Sequence, residues 1–134
     1  MPFEGGCICG AVRYVCTSQP VWSCNCHCRA CQAGSGAPYV SALSVPLNSV
    51  SVSGSRIEFT RTSESGHTVT TALCALCGTR VHAQSAGNTA LLNLFAATLD
   101  NAGAFTPISN VYVSEKAPWV ALDPAIPAFE KMPG

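Results

Sequence analysis

The sequence predicts an all-β fold, a sandwich or barrel-like domain stapled by zinc. Three observations carry this reading. Short stretches rich in β-branched and aromatic residues recur along the chain, separated by Gly, Ser and Pro. Helical signals are few. Seven of the nine cysteines fall into three clusters, Cys7-x-Cys9, Cys26-x-Cys28-x-x-Cys31 and Cys74-x-x-Cys77, spacings that suit a shared ion better than long-range disulfides.

The elements follow in order. Residues 11–16 read as a strand after a Gly-rich start, and Pro20 interrupts the chain soon after. Residues 49–54 and 56–62 read as two short strands separated by the turn pair Gly54-Ser55. Residues 69–73 lead into the Cys74 cluster, and 80–83 lead out of it. Residues 91–96 and 111–113 supply further strands. Residues 29–34 are expected to form one helical turn that carries Cys31. A second helix is expected from Asp123, with Asp as N-cap, Pro124 at the first helical position and Pro133-Gly134 beyond its end. No repeat, low-complexity tract or boundary is visible, and 134 residues fit a single domain over 1–134.

Composition narrows the function. The formal net charge is +0 and only 10% of residues are charged. A nucleic-acid binder shows a basic patch or stripe, and seven scattered Lys and Arg make none. An electrostatic membrane surface is disfavoured for the same reason, and no apolar run has the length of a membrane span. Met1-Pro2-Phe3-Glu4 opens no export signal, so a cytoplasmic location with reduced thiols is expected. A 48% hydrophobic composition with few charges suits a domain that hides surface in a homodimer or against a partner.

Four plus three is the cysteine count for one closed zinc site and one open one. Four thiolates make a structural site, whereas three protein ligands leave a position for water or substrate. Cys74 and Cys77 have knuckle spacing, and Gly78 permits the tight backbone that turns amide N–H groups toward sulfur. This half-site needs two more ligands, which Cys7 and Cys9 can supply. Cys26, Cys28 and Cys31 form the second site from one local loop. His27 lies inside that loop, but neighbours in extended chain point to opposite sides. Cys24 shares the two-residue period of Cys26 and Cys28 and is the rival fourth ligand; the alternative is a small buried apolar cysteine. Cys16, in a strand, reads as packing.

These residues resemble the glutathione-dependent formaldehyde-activating enzyme family, which includes centromere protein V. The resemblance rests on Gly6-Cys7-Ile8-Cys9-Gly10-Ala11-Val12-Arg13-Tyr14, on Cys26-His27-Cys28-Arg29-Ala30-Cys31-Gln32 through Gly36, and on Cys74-Ala75-Leu76-Cys77-Gly78-Thr79. Thr98-Leu99-Asp100, Phe105-Thr106-Pro107 and Ala117-Pro118-Trp119-Val120 also match. It implies a β-rich fold shared with zinc-binding Rab chaperones and methionine sulfoxide reductases of the B type. It implies two zinc ions, a structural one on Cys7, Cys9, Cys74 and Cys77 and a second on Cys26, Cys28 and Cys31. The implied activity is that of a carbon–sulfur lyase joining glutathione and formaldehyde, or cleaving the adduct, at the open three-cysteine site. Coordination there would hold a thiol substrate as thiolate.

Other side chains have weaker chemical claims. Arg29 is the cation nearest the second cluster in sequence, with a solvated loop residue as the alternative. His67, after Ser65-Gly66, is expected at an exposed turn, and His82 as a packed or hydrogen-bonded strand residue. Asp100 is explained by Asx-turn capping and Trp119 as a core or lid aromatic. The alternative to an enzyme is a non-catalytic two-zinc module that carries a small thiol or docks a protein partner. The fourth position on the second zinc distinguishes the two.

Overall fold

The computed structural model describes residues 3–133. Met1, Pro2 and Gly134, and so part of the signals read at either end, lie outside the described residues. The fold is all-β, with one short α-helix and two sheets. The smaller sheet is antiparallel, with β1 (Phe3–Gly6), β2 (Arg13–Cys16) and β5 (Val50–Ser53) in the order β1-β2-β5. The larger contains β3 (Trp22–Cys26), β4 (Val40–Pro46), β6 (Arg56–Thr62), β7 (Thr68–Cys74), β8 (Arg80–Ser85), β9 (Leu91–Phe95) and β10 (Asn110–Val111). Its order is β10-β3-β4-β9-β8-β7-β6, and β10 pairs with β3 in parallel. The helix α1 (Arg29–Ser35) follows β3 directly.

Alternation sets which face each strand buries. In β2, Tyr14 and Cys16 point inward while Val15 is exposed; in β9, Leu92 and Leu94 are buried between half-buried neighbours. These side chains join Val12, Leu43, Val45 and Val81 in one core drawn from both sheets. Cys7 and Cys74 belong to that core as well, so the first cysteine cluster grows out of it. The Tyr14 hydroxyl is buried but satisfied, at 2.8 Å from Thr98 Oγ1.

The expected strands at 56–62, 69–73 and 80–83 lie within β6, β7 and β8. Three strands were not legible. β1 is built largely of Gly and Glu. In β3 and β4 the polar residues Ser23, Asn25, Ser41 and Ser44 dilute the apolar signal. Those polar groups are paired within the fold: Ser41 Oγ donates to Asn25 Oδ1 at 2.6 Å, and Ser23 Oγ to the Thr106 carbonyl at 2.6 Å. β5 and β6 do not pair, although only Gly54-Ser55 separates them. Gly54, at φ +102° with the Ala11 carbonyl where a Cβ would stand, lets the chain pass from one sheet to the other.

Three expectations fail. Asp123 starts a turn, not a helix: its carboxylate accepts from the Ala125 N–H at 2.8 Å and nothing helical follows. Pro124 is compatible with a helix start, but Pro127 lacks the N–H that would make the first intrahelical bond, to the Asp123 carbonyl, and its ring would crowd that carbonyl. Asp100 does not cap the turn. It pairs with Arg13, and Asn101 Oδ1 accepts from the Gly103 N–H at 3.1 Å instead. Trp119 is 76% exposed and lies outside the core, so of its two expected roles, core or lid, the first fails.

Candidate metal centres

The first centre is made by two turns, one from each sheet. Cys7 and Cys9 follow β1, while Cys74 ends β7 and Cys77 sits in the turn before β8. Their four sulfurs lie within 4.8 Å of one another. Cys7 and Cys9 sulfurs are 3.5 Å apart, and Cys9 and Cys74 sulfurs 3.7 Å. Four sulfurs tetrahedral about zinc at 2.3 Å stand ~3.8 Å apart, so the donor set fits that ion. All nine cysteines are free.

Backbone geometry supports the thiolates. The N–H groups of Leu76 and Cys77 point to Cys74 Sγ at 3.4 and 3.5 Å, and the Val12 N–H donates to Cys7 Sγ at 3.1 Å. Gly78 takes φ +77°, and its N–H reaches the Cys74 carbonyl at 3.0 Å, closing the knuckle. The Thr79 hydroxyl, 3.1 Å from Cys77 Sγ, and its backbone N–H hold the Cys77 thiol down at about 5. Cys7 is buried and Cys77 exposed, so one side of the centre faces the core and the other solvent.

The second centre lies where β3 gives way to α1. Cys26 ends the strand, Cys28 is the helix N-cap, and Cys31 stands in the first turn. Their sulfurs also lie within 4.8 Å of one another. Cys28 Sγ accepts from the Cys31 N–H at 3.3 Å, the usual role of an N-cap side chain. Hydrogen bonds from Cys26 and Cys31 push the Cys28 thiol down, opposed by burial, while the same bond to Cys28 pushes Cys26 up.

Several side chains fix this loop. Gln32, buried, donates to the His27 carbonyl at 2.6 Å and the Glu115 carbonyl at 2.9 Å. Glu115 accepts from the Arg29 N–H at 2.8 Å, occupying a free donor of the first turn. The His27 ring is buried away from the sulfurs, with Nε2 3.0 Å from Asn110 Oδ1. Tyr112, at φ 56°, adopts a left-handed conformation that costs about 1–3 kcal/mol for a side chain of this kind. It follows β10 directly, and β10 is registered against Asn25 and Cys26.

The remaining sequence candidates fall as follows. Cys24 is buried, stands outside the sulfur group, and is pushed up to about 12, chiefly by burial. Cys16 is fully buried. Arg29 Nη1 donates to Gln32 Oε1 at 2.7 Å and its side chain is exposed. The cation whose charge acts on Cys28 and Cys31 is Arg61, on β6, a small influence behind the sulfur hydrogen bonds and burial. Nothing in the sequence near either cysteine pointed to it; the signal is that Arg61 shares a strand face with Ile57 and Phe59, by the two-residue period. His67 is exposed, and His82 is buried with Arg56 Nη1 3.1 Å from its Nε2.

Residues 2–115 match the family model described as glutathione-dependent formaldehyde-activating enzyme. That span contains both cysteine groups in their order. The chain belongs to the glutathione-dependent formaldehyde-activating enzyme family. The match stops before the 117–120 segment that also resembled it. Among solved structures, a crystal structure of a Rhodobacter sphaeroides protein from a structural genomics programme is similar in fold. It is 17% identical with a TM-score of 0.58, over 93% of this chain and 98% of that one. No curated protein matches the chain, so membership in the formaldehyde-activating family rests on the family model. Among the described residues no helix is long and apolar enough to cross a membrane.

Proposed function

We propose that this single-domain protein forms and cleaves a thiol–aldehyde adduct, S-hydroxymethylglutathione or a close relative, at Cys26, Cys28 and Cys31. The observation that carries the reading is the unequal pair of sulfur groups, one of four and one of three. Cys7, Cys9, Cys74 and Cys77 complete a tetrahedral set and would hold a structural zinc. Cys26, Cys28 and Cys31 would hold a second, with one position left for substrate. Family membership supports the glutathione and formaldehyde chemistry at its general level.

A zinc ion, when bound, favours the thiolate form of a coordinated thiol and positions it. The protein's own residues supply the rest. Gln32 and Glu115 keep the loop and the helix start rigid, so the three sulfurs stay convergent. Arg61 offsets part of their negative charge, and the buried Cys24 and His27 close the inner side against water. In the reaction the substrate sulfur bonds to the aldehyde carbon, the carbonyl π bond breaks, and the thiol proton ends on the aldehyde oxygen. Reversal releases both reactants. Holding the two in contact is the main contribution such a site can make.

Exchange spectroscopy on glutathione and formaldehyde, with and without protein, tests this. Faster exchange is expected, lost in Cys28→Ser, since a hydroxyl is a poor substitute for a soft thiolate ligand. Exchange no faster with stoichiometric protein refutes the catalytic reading. A second reading is then favoured by Ile8 and Leu76, which stand 90% and 80% exposed at the tips of the two turns of the first centre. Apolar knuckle tips suit a non-catalytic module that carries a thiol or docks a partner.

A further inference from the structure

β6 is the edge strand of the seven-stranded sheet, and all seven of its residues are exposed. It pairs with β7 in one continuous antiparallel register, from Arg56 opposite Cys74 to Thr62 opposite Thr68. Just beyond its two ends, the Ala75 N–H donates to the Ser55 carbonyl at 3.0 Å and the Ser63 N–H to the His67 carbonyl at 2.8 Å. Bonded and non-bonded pairs alternate along an antiparallel ladder. Ile57, Phe59 and Arg61 therefore share the phase of Ser55 and Ser63 and turn their backbone groups to β7. The N–H and C=O groups of Arg56, Glu58, Thr60 and Thr62 point the other way, along a free edge.

Such an edge is a template for another strand, and native folds blunt it with brevity, Pro, Lys, a bulge or a covering segment. The opposite edge of this sheet is blunted in that way. β10 has two residues, and the chain itself covers it. The Asn110 N–H donates to the Pro127 carbonyl, and the Phe129 N–H to the Asn110 carbonyl, each at 2.9 Å. β6 is longer, has neither Pro nor Lys, and carries Phe59 and Ile57 at 62% and 47% exposure.

We propose that β6 is the interface of a homodimer, in which it pairs antiparallel with β6 of a second copy and joins the two large sheets into one. The two-fold axis is normal to the sheet and keeps each face with itself, so residues set opposite one another must come from the same face. That condition leaves few registers. Centring on Glu58 sets two carboxylates directly opposite, which is destabilising. Centring on Thr60 leaves Ile57 outside the pairing. Centring on Phe59 uses the whole strand. Glu58 then meets Thr60 and Arg56 meets Thr62, so every outward N–H and C=O of the strand finds a partner. Phe59 stands against its own copy at a non-bonded position, where Cα atoms approach to ~4.5 Å, and aromatic pairs there stabilise a sheet. Ile57 lies against the aliphatic stem of Arg61. The two Glu58 side chains fall diagonally across the axis, each with its own Arg56 two residues along the same face. A second copy meets all these constraints by symmetry, which favours it over an unrelated strand.

The interface borders the three-cysteine centre. Phe59, Thr60 and Arg61 line a hollow of about 250 Å3 that also takes in Ala30 of α1. The axis puts both hollows on one face of the joined sheet, so β6 of the second copy lies beside each of them. A strand of seven residues on each side makes a small interface, so association is weak, with a dissociation constant of about 10–100 µM.

Sedimentation of the zinc-loaded protein between about 1 µM and 1 mM tests the dimer, and amide exchange followed by NMR tests the strand that makes it. A monomer–dimer equilibrium is expected. Phe59→Asp places two carboxylates at the axis and should weaken it at least about 10-fold. Thr60→Pro removes an outward N–H that β7 does not use, and should weaken it as well. In the wild-type protein, which needs no variant to fold, the Glu58 and Thr60 amides should gain protection as concentration rises. The Phe59 and Arg61 amides, bonded to β7, should not change. A monomer up to about 1 mM, a dimer that Phe59→Asp leaves intact, or protection gained elsewhere but not at Glu58 and Thr60 overturns the proposal.

Discussion

Cys77→Ala separates a metal-held fold from a merely thiol-rich one, because the two cases predict costs of different size. Cys77 is exposed, and its sulfur lies 3.1 Å from the Thr79 hydroxyl. Without an ion, trimming an exposed thiol to a methyl group is a surface change worth within about 0.5 kcal/mol. With an ion the account differs. Cys7 and Cys9 come from the small sheet, and Cys74 and Cys77 from the turn between β7 and β8 of the large one. The ion ties segments 65 residues apart, as the Cys9–Cys74 contact spans. Structural zinc in small modules contributes on the order of 10 kcal/mol of coupled folding energy, comparable to the whole stability of a domain, about 5–15 kcal/mol. Even partial retention by three sulfurs should then leave a loss of several kcal/mol. The assay is urea unfolding followed by circular dichroism, with the metal content of each sample counted by mass spectrometry. We expect one ion fewer than wild type and a collapsed or strongly destabilised fold. A well-folded Cys77→Ala protein within about 0.5 kcal/mol of wild type would refute the reasoning.

Two further predictions concern chelation and pH. Mild chelation should strip the Cys26, Cys28 and Cys31 centre first, because three sulfurs hold it, with secondary structure largely kept; native mass spectrometry showing both metals leaving together with unfolding would contradict this. Burial, then Arg56, lowers the His82 pKa below its usual value, so the unfolded chain binds this proton before the folded protein does. The stability contributed by neutral His82 is full above about pH 6.5 and falls as pH drops through the unfolded value toward the folded one. His82→Gln should flatten the urea midpoint against pH in that window relative to wild type, and identical slopes would show that His82 is not responsible.

Much of the site was legible because metal ligation is a local, chemically narrow demand. Cys74-x-x-Cys77-Gly78 announces its turn, and in the structure its N–H groups do point at Cys74 sulfur. The convergence of Cys7 and Cys9 on that turn followed from counting ligands. Strands with clear alternation were read at 11–16 and 91–96 and appear as β2 and β9, each a little shorter. Strands that hide serine and asparagine were missed, since β3 and β4 satisfy those groups against neighbours far away in sequence. Asp100 and Trp119 were misread for a related reason. An Asp before Asn and Gly looks like a cap until Arg13 arrives from another strand, and nothing local says whether an aromatic ring finds a core.

By itself the sequence determined the all-β class, the two groups of cysteines and the family, because spacing, period and ligand type are properties of short segments. Tertiary structure decided what surrounds them. It left Cys24 and His27 outside the three-cysteine group, took Arg29 to Gln32, and gave that group a cationic influence from Arg61 on an edge strand. It also placed Arg80 against Gly34 and Phe95 with an unused donor. The physical reason is that charge, burial and hydrogen-bond satisfaction depend on through-space neighbours, and a sheet of seven strands ordered 10-3-4-9-8-7-6 brings together residues that no sequence window contains.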